Sequence, residues 1–150
     1  MEARMDRSAA RNIFDKIVAA SMDFRRQHGE VPMSFILVMP DDRLVQVPSL
    51  PGVDAGGMAY AVRTLSENIG ARYVVSTGEA WMTARDTVDG PAPSESTDRT
   101  ENILVTIDGP DLQLLAMVEI RADGTLGEPT IFEDTLDGRF TNLSGMVGIN

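Results

Sequence analysis

The chain has 150 residues, the length of one ordinary domain, and carries a net charge of −10. A chain of this size buries roughly 70% of the surface its unfolded form exposes, so it needs neither disulfide nor metal to hold a core. The acidic field repels phosphate backbones and anionic lipid surfaces, and the arginines run dispersed from Arg4 to Arg139 with only Arg25 and Arg26 adjacent, which disfavours nucleic-acid and membrane partners.

Cysteine is absent, which removes disulfides, thiolate metal sites and a cysteine nucleophile together. Glu2, Asp6 and Asp15 interrupt any apolar leader at the N-terminus. The longest apolar run, around residues 34–39, falls well short of the roughly 18 residues that span a bilayer. The expectation is one soluble, cytoplasmic domain covering residues 1–150, with a protein partner or a second copy as its companion.

In chain order, the first element is a helix. Ile13, Phe14, Ile17, Val18, Ser21 and Phe24 follow a 3.6-residue period; Asp6 or Ser8 can cap the start, and Gly29 follows an end near His28. Residues 33–39, with Phe35, Ile36, Leu37 and Val38 continuous, read as a buried strand. Pro40, Asp41 and Asp42 form a turn to a second strand with Leu44, Val45 and Val47, so the two pair as a hairpin that Pro48 and Pro51 close. A second helix follows. Asp54 is its N-cap, Met58, Ala61, Val62, Leu65 and Ile69 form its apolar stripe, and Gly70 ends it. Gly56 and Gly57 would cost about 1 kcal/mol each inside that helix. Close packing of its first turn explains them; phosphate binding is the functional alternative, but the segment lacks the lysine and spacing of a P-loop.

Beyond Gly70 the pattern becomes that of strands: residues 73–84, with a possible bulge at Gly78; 102–107; 112–121; and a short one near 130–132. Leu112, Leu114, Ala116, Val118 and Ile120 share one face, while Leu115 and Met117 point to the other. Asp123-Gly124 is a hairpin signal. Residues 86–100 are rich in Pro, Ser, Thr and Asp and read as a mobile loop; the tail 133–150 has no clear period. The fold class expected is α+β: an antiparallel sheet of about five strands with two helices on one face, in the order α-β-β-α-β-β-β-β. That order resembles the roadblock and profilin-like layout.

Chemistry-bearing residues are sparse. His28 is the single histidine and stands at a helix end, where the dipole favours it without catalysis. One histidine and no cysteine leave no zinc site of the usual kind, and no cofactor is expected. Glu133, Asp134 and Asp137 form the densest acidic cluster; a magnesium or calcium site is conceivable there, but the spacing is not that of an EF-hand and a solvated loop is the plainer reading. The most individual segment is Ser76-Thr77-Gly78-Glu79-Ala80-Trp81-Met82, which holds the single tryptophan. Alternation sets Glu79 and Trp81 opposite Ala80 and Met82. If the small side chains lie under the helices, Glu79 and Trp81 point away from them and form a candidate binding pair; ordinary packing of Trp81 against the second face is the alternative.

This segment is similar to small uncharacterised proteins of bacteria and their phages, through Glu79-Ala80-Trp81, the exit of the polar loop from Pro93 to Glu101, and the Asp-Gly hairpin. The resemblance covers roughly residues 71–132 and implies no activity. Two functions follow from the residues. The first is a non-catalytic, protein-binding or homodimerising accessory domain, to which methionines such as Met58, Met82 and Met117 lend adaptable packing. The alternative is a small carboxylate-based, hydrolase-like enzyme in which Glu79, its pKa raised by apolar neighbours, is the general acid or base.

Overall fold

The computed structural model describes residues 6–48, 51–82 and 100–133. Helix α1 runs Arg7–His28; Asp6 is its N-cap, with its carboxylate accepting from the Ala9 N–H, and Gly29 ends it in the left-handed conformation at φ 82°. Helix α2 runs Ala55–Ile69 between Asp54, which accepts from the Gly57 N–H, and Gly70 at φ 75°. A Cβ on Gly57 would stand 2.9 Å from Val53 Cγ1, so close packing accounts for that glycine.

The strands are β1 (Ser34–Val38), β2 (Leu44–Pro48), β3 (Tyr73–Met82), β4 (Thr100–Asp108), β5 (Gln113–Ile120) and β6 (Thr130–Glu133). They form one six-stranded sheet in the order β2-β1-β3-β4-β5-β6, every neighbouring pair antiparallel. The α+β class and the element order are those the sequence leads one to expect, with six strands in place of about five. The ladder from β3 to β4 passes through Gly78, opposite Leu104, without a bulge. Of the polar loop expected over 86–100, only Thr100 is described, and it opens β4; of the tail 133–150, only Glu133, which closes β6.

The helices do not share a face. Ala10, Phe14 and Val18 of α1 pack with Val38, Tyr73, Val75, Ile103, Val105, Ile107, Leu114, Ala116 and Val118. Met58 and Val62 of α2 pack with Phe35, Leu37, Val47 and Val74. Val38 against Leu37, and Val75 against Val74, are neighbours on a strand and so point to opposite sides of the sheet. The sheet is therefore the middle of three layers. The expectation of two helices on one face fails because a stripe on a helix shows that it is half-buried, not which side of a sheet it meets. The middle strands carry the requirement instead: Asn102, Ile103, Leu104, Val105, Thr106 and Ile107 of β4 are all buried, so both faces need cover.

Cover is uneven. Leu65 and Ile69 extend the stripe of Met58 and Val62 but remain 38% and 39% exposed. Phe24, expected on the buried stripe of α1, is also half-exposed and stacks on His28 with ring centroids 4.3 Å apart.

At the far end of the sheet, the turn between β4 and β5 presses on Tyr73. A Cβ on Gly109 would fall 2.2 Å from the Tyr73 ring and 2.9 Å from the Arg72 carbonyl. Gly109→Ala should therefore cost about 1–3 kcal/mol through overpacking. Phe14→Ala, which empties the centre of the α1 layer, should cost about 3–5 kcal/mol. Urea unfolding checks both, and a neutral Gly109→Ala would contradict the packing described.

Candidate functional site

Glu79 and Trp81 lie on the α1 side of β3, in line with Tyr73, Val75 and Thr77. The side away from the helices that the sequence suggested for them does not exist, because a helix packs on each face. Trp81 is half-buried and stands opposite Glu101 on β4. Glu79 is met by Arg25 from the last turn of α1: Arg25 Nε and Glu79 Oε1 are 2.9 Å apart, with the two side chains only 18% and 19% exposed. Their angle is not that of a hydrogen bond, so the contact is an ion pair. The Val31 N–H donates to the same carboxylate.

Burial pushes the Glu79 carboxyl above its ordinary range; the Val31 N–H and Arg25 pull it back, and the negative charges of Glu101 and Glu30 push it up again. Beside it, the Ser34 and Thr77 hydroxyls share a hydrogen bond of 2.8 Å, and Thr77 donates to the Pro32 carbonyl at 3.3 Å. These contacts tie the end of α1 and the segment that follows it to β3. The opposite end of α1 is tied as well, by Arg7, which donates to the Asp111 carbonyl at 3.2 Å and to Glu133 Oε1 at 3.0 Å. Tyr73, fully buried, donates its hydroxyl to the Asp111 carboxylate; burial and then that carboxylate push its phenol upward.

Glu133 thus belongs to a helix clamp, while Asp134 and Asp137 lie outside the described residues. Among the described residues, no group of three or more His, Asp or Glu is arranged to hold a metal ion. None of the described helices is long and apolar enough to cross a membrane.

A second feature, which the sequence reading treated as framework only, is the outer edge of β2. The Met39 N–H donates to the Arg43 carbonyl at 2.9 Å, which makes that pair the hydrogen-bonded one that closes the hairpin. The register pairs Leu37 with Val45 and Phe35 with Val47, so Val45 and Val47 bond inward to β1. Leu44 and Gln46 then turn their backbone N–H and C=O groups outward. Pro48 falls on the same outward phase, where a missing N–H breaks no inner bond. Leu44 and Val45 are 53% and 38% exposed, and no residue from 44 to 48 is charged. Arg43, just before the strand, is tied to Asp41 at 2.7 Å. Edge strands are commonly guarded by lysines, bulges, inward charges, prolines or shortness; β2 has no charge, and its guards are its five-residue length and Pro48. The signal in the sequence was an uncharged strand at the end of a two-strand hairpin, but only the sheet order shows that its outer side has no neighbour among the described strands.

Comparison with protein-family models, with curated proteins and with solved structures finds no match.

The Glu79 carboxyl gives a pH test. Its pKa is higher in the folded state than the ordinary 4.5, so the folded state holds the proton more tightly. Stability from that proton is fully present below the ordinary value and is lost as pH rises through the raised one. Relative to Glu79→Gln, the wild-type chain should therefore lose stability as pH is raised from the ordinary glutamate range toward neutrality. Paired urea titrations measure the difference, and a flat difference would contradict the burial of Glu79. Arg25→Met, which leaves the carboxylate without its counter-ion, should cost about 1–3 kcal/mol near neutral pH and less in acid.

Proposed function

We propose that this chain is a non-catalytic binding domain that engages another protein chain, or a second copy of itself, through the outer edge of β2. The observation that carries the reading is the uncharged β2 edge, which no other described strand pairs, where Leu44 and Gln46 turn backbone donors and acceptors outward beside exposed apolar side chains. Such an edge recognises an extended strand: the ladder supplies affinity and the alternating side chains supply selectivity. The chain-wide negative charge disfavours nucleic acid and leaves an uncharged strand as the stretch where contact with another chain is least opposed.

Glu79 enters this reading as the residue that ties the end of α1 to β3, with Trp81 as a candidate second contact for the partner. The enzymatic alternative rests on the raised Glu79 carboxyl. Arg25 and the Val31 N–H already occupy that carboxylate, which supports a positioning role over a general acid or base.

Leu44→Asp tests the proposal. Leu44 is more than half exposed, so the change should alter stability by no more than about 0.5 kcal/mol. It should weaken association at least roughly tenfold, since a carboxylate on an apolar strand contact loses both packing and solvation. Sedimentation velocity of the full chain, and cross-linking with mass spectrometry in its native host, provide the readouts. Unchanged association, with cross-links mapping away from residues 44–47, would overturn it.

A further inference from the structure

We propose that residues 134–150 of this chain cover the side of β4 and β5 that faces away from α1, and so complete the core there. The inference is independent of the β2 reading and concerns a different surface. It starts from burial that the described elements do not explain. Leu104 and Thr106 of β4 and Leu115 of β5 point away from α1, yet they are only 3%, 6% and 4% exposed. Among the described helices, α2 stands on that side, and it packs over Phe35, Leu37, Val47 and Val74. Leu104 and Leu115 are not among the residues that either helix packs against.

Neighbouring strands do not supply the missing cover. Leu104 stands between Gly78 of β3 and Met117 of β5, and Thr106 between Ser76 and Leu115. Gly78 has no side chain, and strands about 4.8 Å apart flank a side chain without closing over its tip. Burial to this degree needs another layer packed on the sheet. The polar groups on this side agree, because they are satisfied within the sheet: the Ser76 and Thr106 hydroxyls bond each other, and the Asn102 amide donates to Thr100 Oγ1 at 3.0 Å.

Two long stretches lie outside the described residues, and composition separates them. Residues 83–99 hold one large apolar side chain, Val88, among two arginines, three aspartates, a glutamate and two prolines. Residues 134–150 hold Leu136, Phe140, Leu143, Met146, Val147 and Ile149, with Asp134, Asp137 and Arg139 as their charges. A layer over Leu104 and Leu115 must be apolar, and the second stretch meets that need. Its point of departure agrees as well. Glu133, where β6 ends, is held on the α1 side by Arg7. Phe132 beside it pairs with Leu115 on the other side and is 43% exposed, so the chain leaves the sheet at the margin of the surface to be covered. The back of β4 and β5 is closed by the chain itself and not by a partner.

The chain has no cysteine, so one introduced thiol carries one probe. Met117→Cys, half-buried on this side, is loaded with a short photo-activated cross-linker and irradiated in dilute full-length chain. It should attach to residues 134–150 of the same molecule. Attachment to residues 83–99 or to a second copy, or no more attachment to 134–150 than from an exposed control at Glu128→Cys, would overturn the proposal. A second measurement reads the cover itself. The thiol of Leu104→Cys should react with a maleimide about tenfold faster once Leu143→Asp is added, whereas Val105→Cys, on the α1 side of the same strand, stays slow. Leu143→Ala takes the place of Leu143→Asp if the latter unfolds the chain. An unchanged rate at Leu104→Cys in the folded variant would contradict cover by 134–150.

Discussion

The constraint on which this fold depends is that its middle strands are apolar on both sides. On β4, Ile103, Val105 and Ile107 face α1 while Leu104 and Thr106 face the other way, and all of them are buried. On β5, Leu114, Ala116 and Val118 face α1, and Leu115, pointing opposite, is buried too. A strand of this kind is unstable with either face wet, because each exposed side chain forfeits roughly 25 cal/mol per Å² of apolar surface. α1 meets that demand on its own face, while the cover that α2 gives the other face lies over β1, β2 and β3. Placing both on one face would leave the α2 side of the sheet without the cover that Met58 and Val62 give it.

From this follows an asymmetry across the sheet. α1 is long, crosses the middle strands, and is held at both ends, by Arg7 on Asp111 and Glu133 and by Arg25 on Glu79. α2 packs Met58 and Val62 over Phe35 and Leu37 of β1, Val47 of β2 and Val74 of β3. The well-buried part of the described molecule lies toward β3, β4 and β5, and exposed apolar side chains lie at β2, whose outer side no other described strand pairs. The paired Arg25 and Glu79, partly desolvated, tie the end of α1 to β3; the uncharged β2 edge is the part proposed for recognition.

Much of this was legible from local chemistry. Asp54, Gly57 and Gly70 bound α2 as their capping roles require, and the alternation of Leu114, Ala116 and Val118 matches the face that α1 covers. What periodicity could not carry was the relation between distant elements. Arg25 and Glu79 are brought together only by the crossing of α1 over β3, and neither residue type predicts the other. Phe24 and Leu65 fit their helical stripes yet remain partly exposed, because a stripe records the intended side of a helix and not the extent of the surface beneath it. Trp81 drew attention as a singular residue, whereas the ordinary Leu44, Val45 and Gln46 matter through sheet order, which no local pattern encodes.

The most direct test of the β2 account is amide hydrogen exchange followed residue by residue as the chain is diluted. Val45 and Val47 bond inward to β1 and should stay protected at every concentration, within the limit set by opening of the hairpin. Leu44 and Gln46 bond outward, so their amides should be protected in concentrated solution and lose that protection together on dilution. Free exchange of Leu44 and Gln46 at all concentrations, with Val45 and Val47 unchanged, would contradict engagement of the β2 edge by a second copy of the chain.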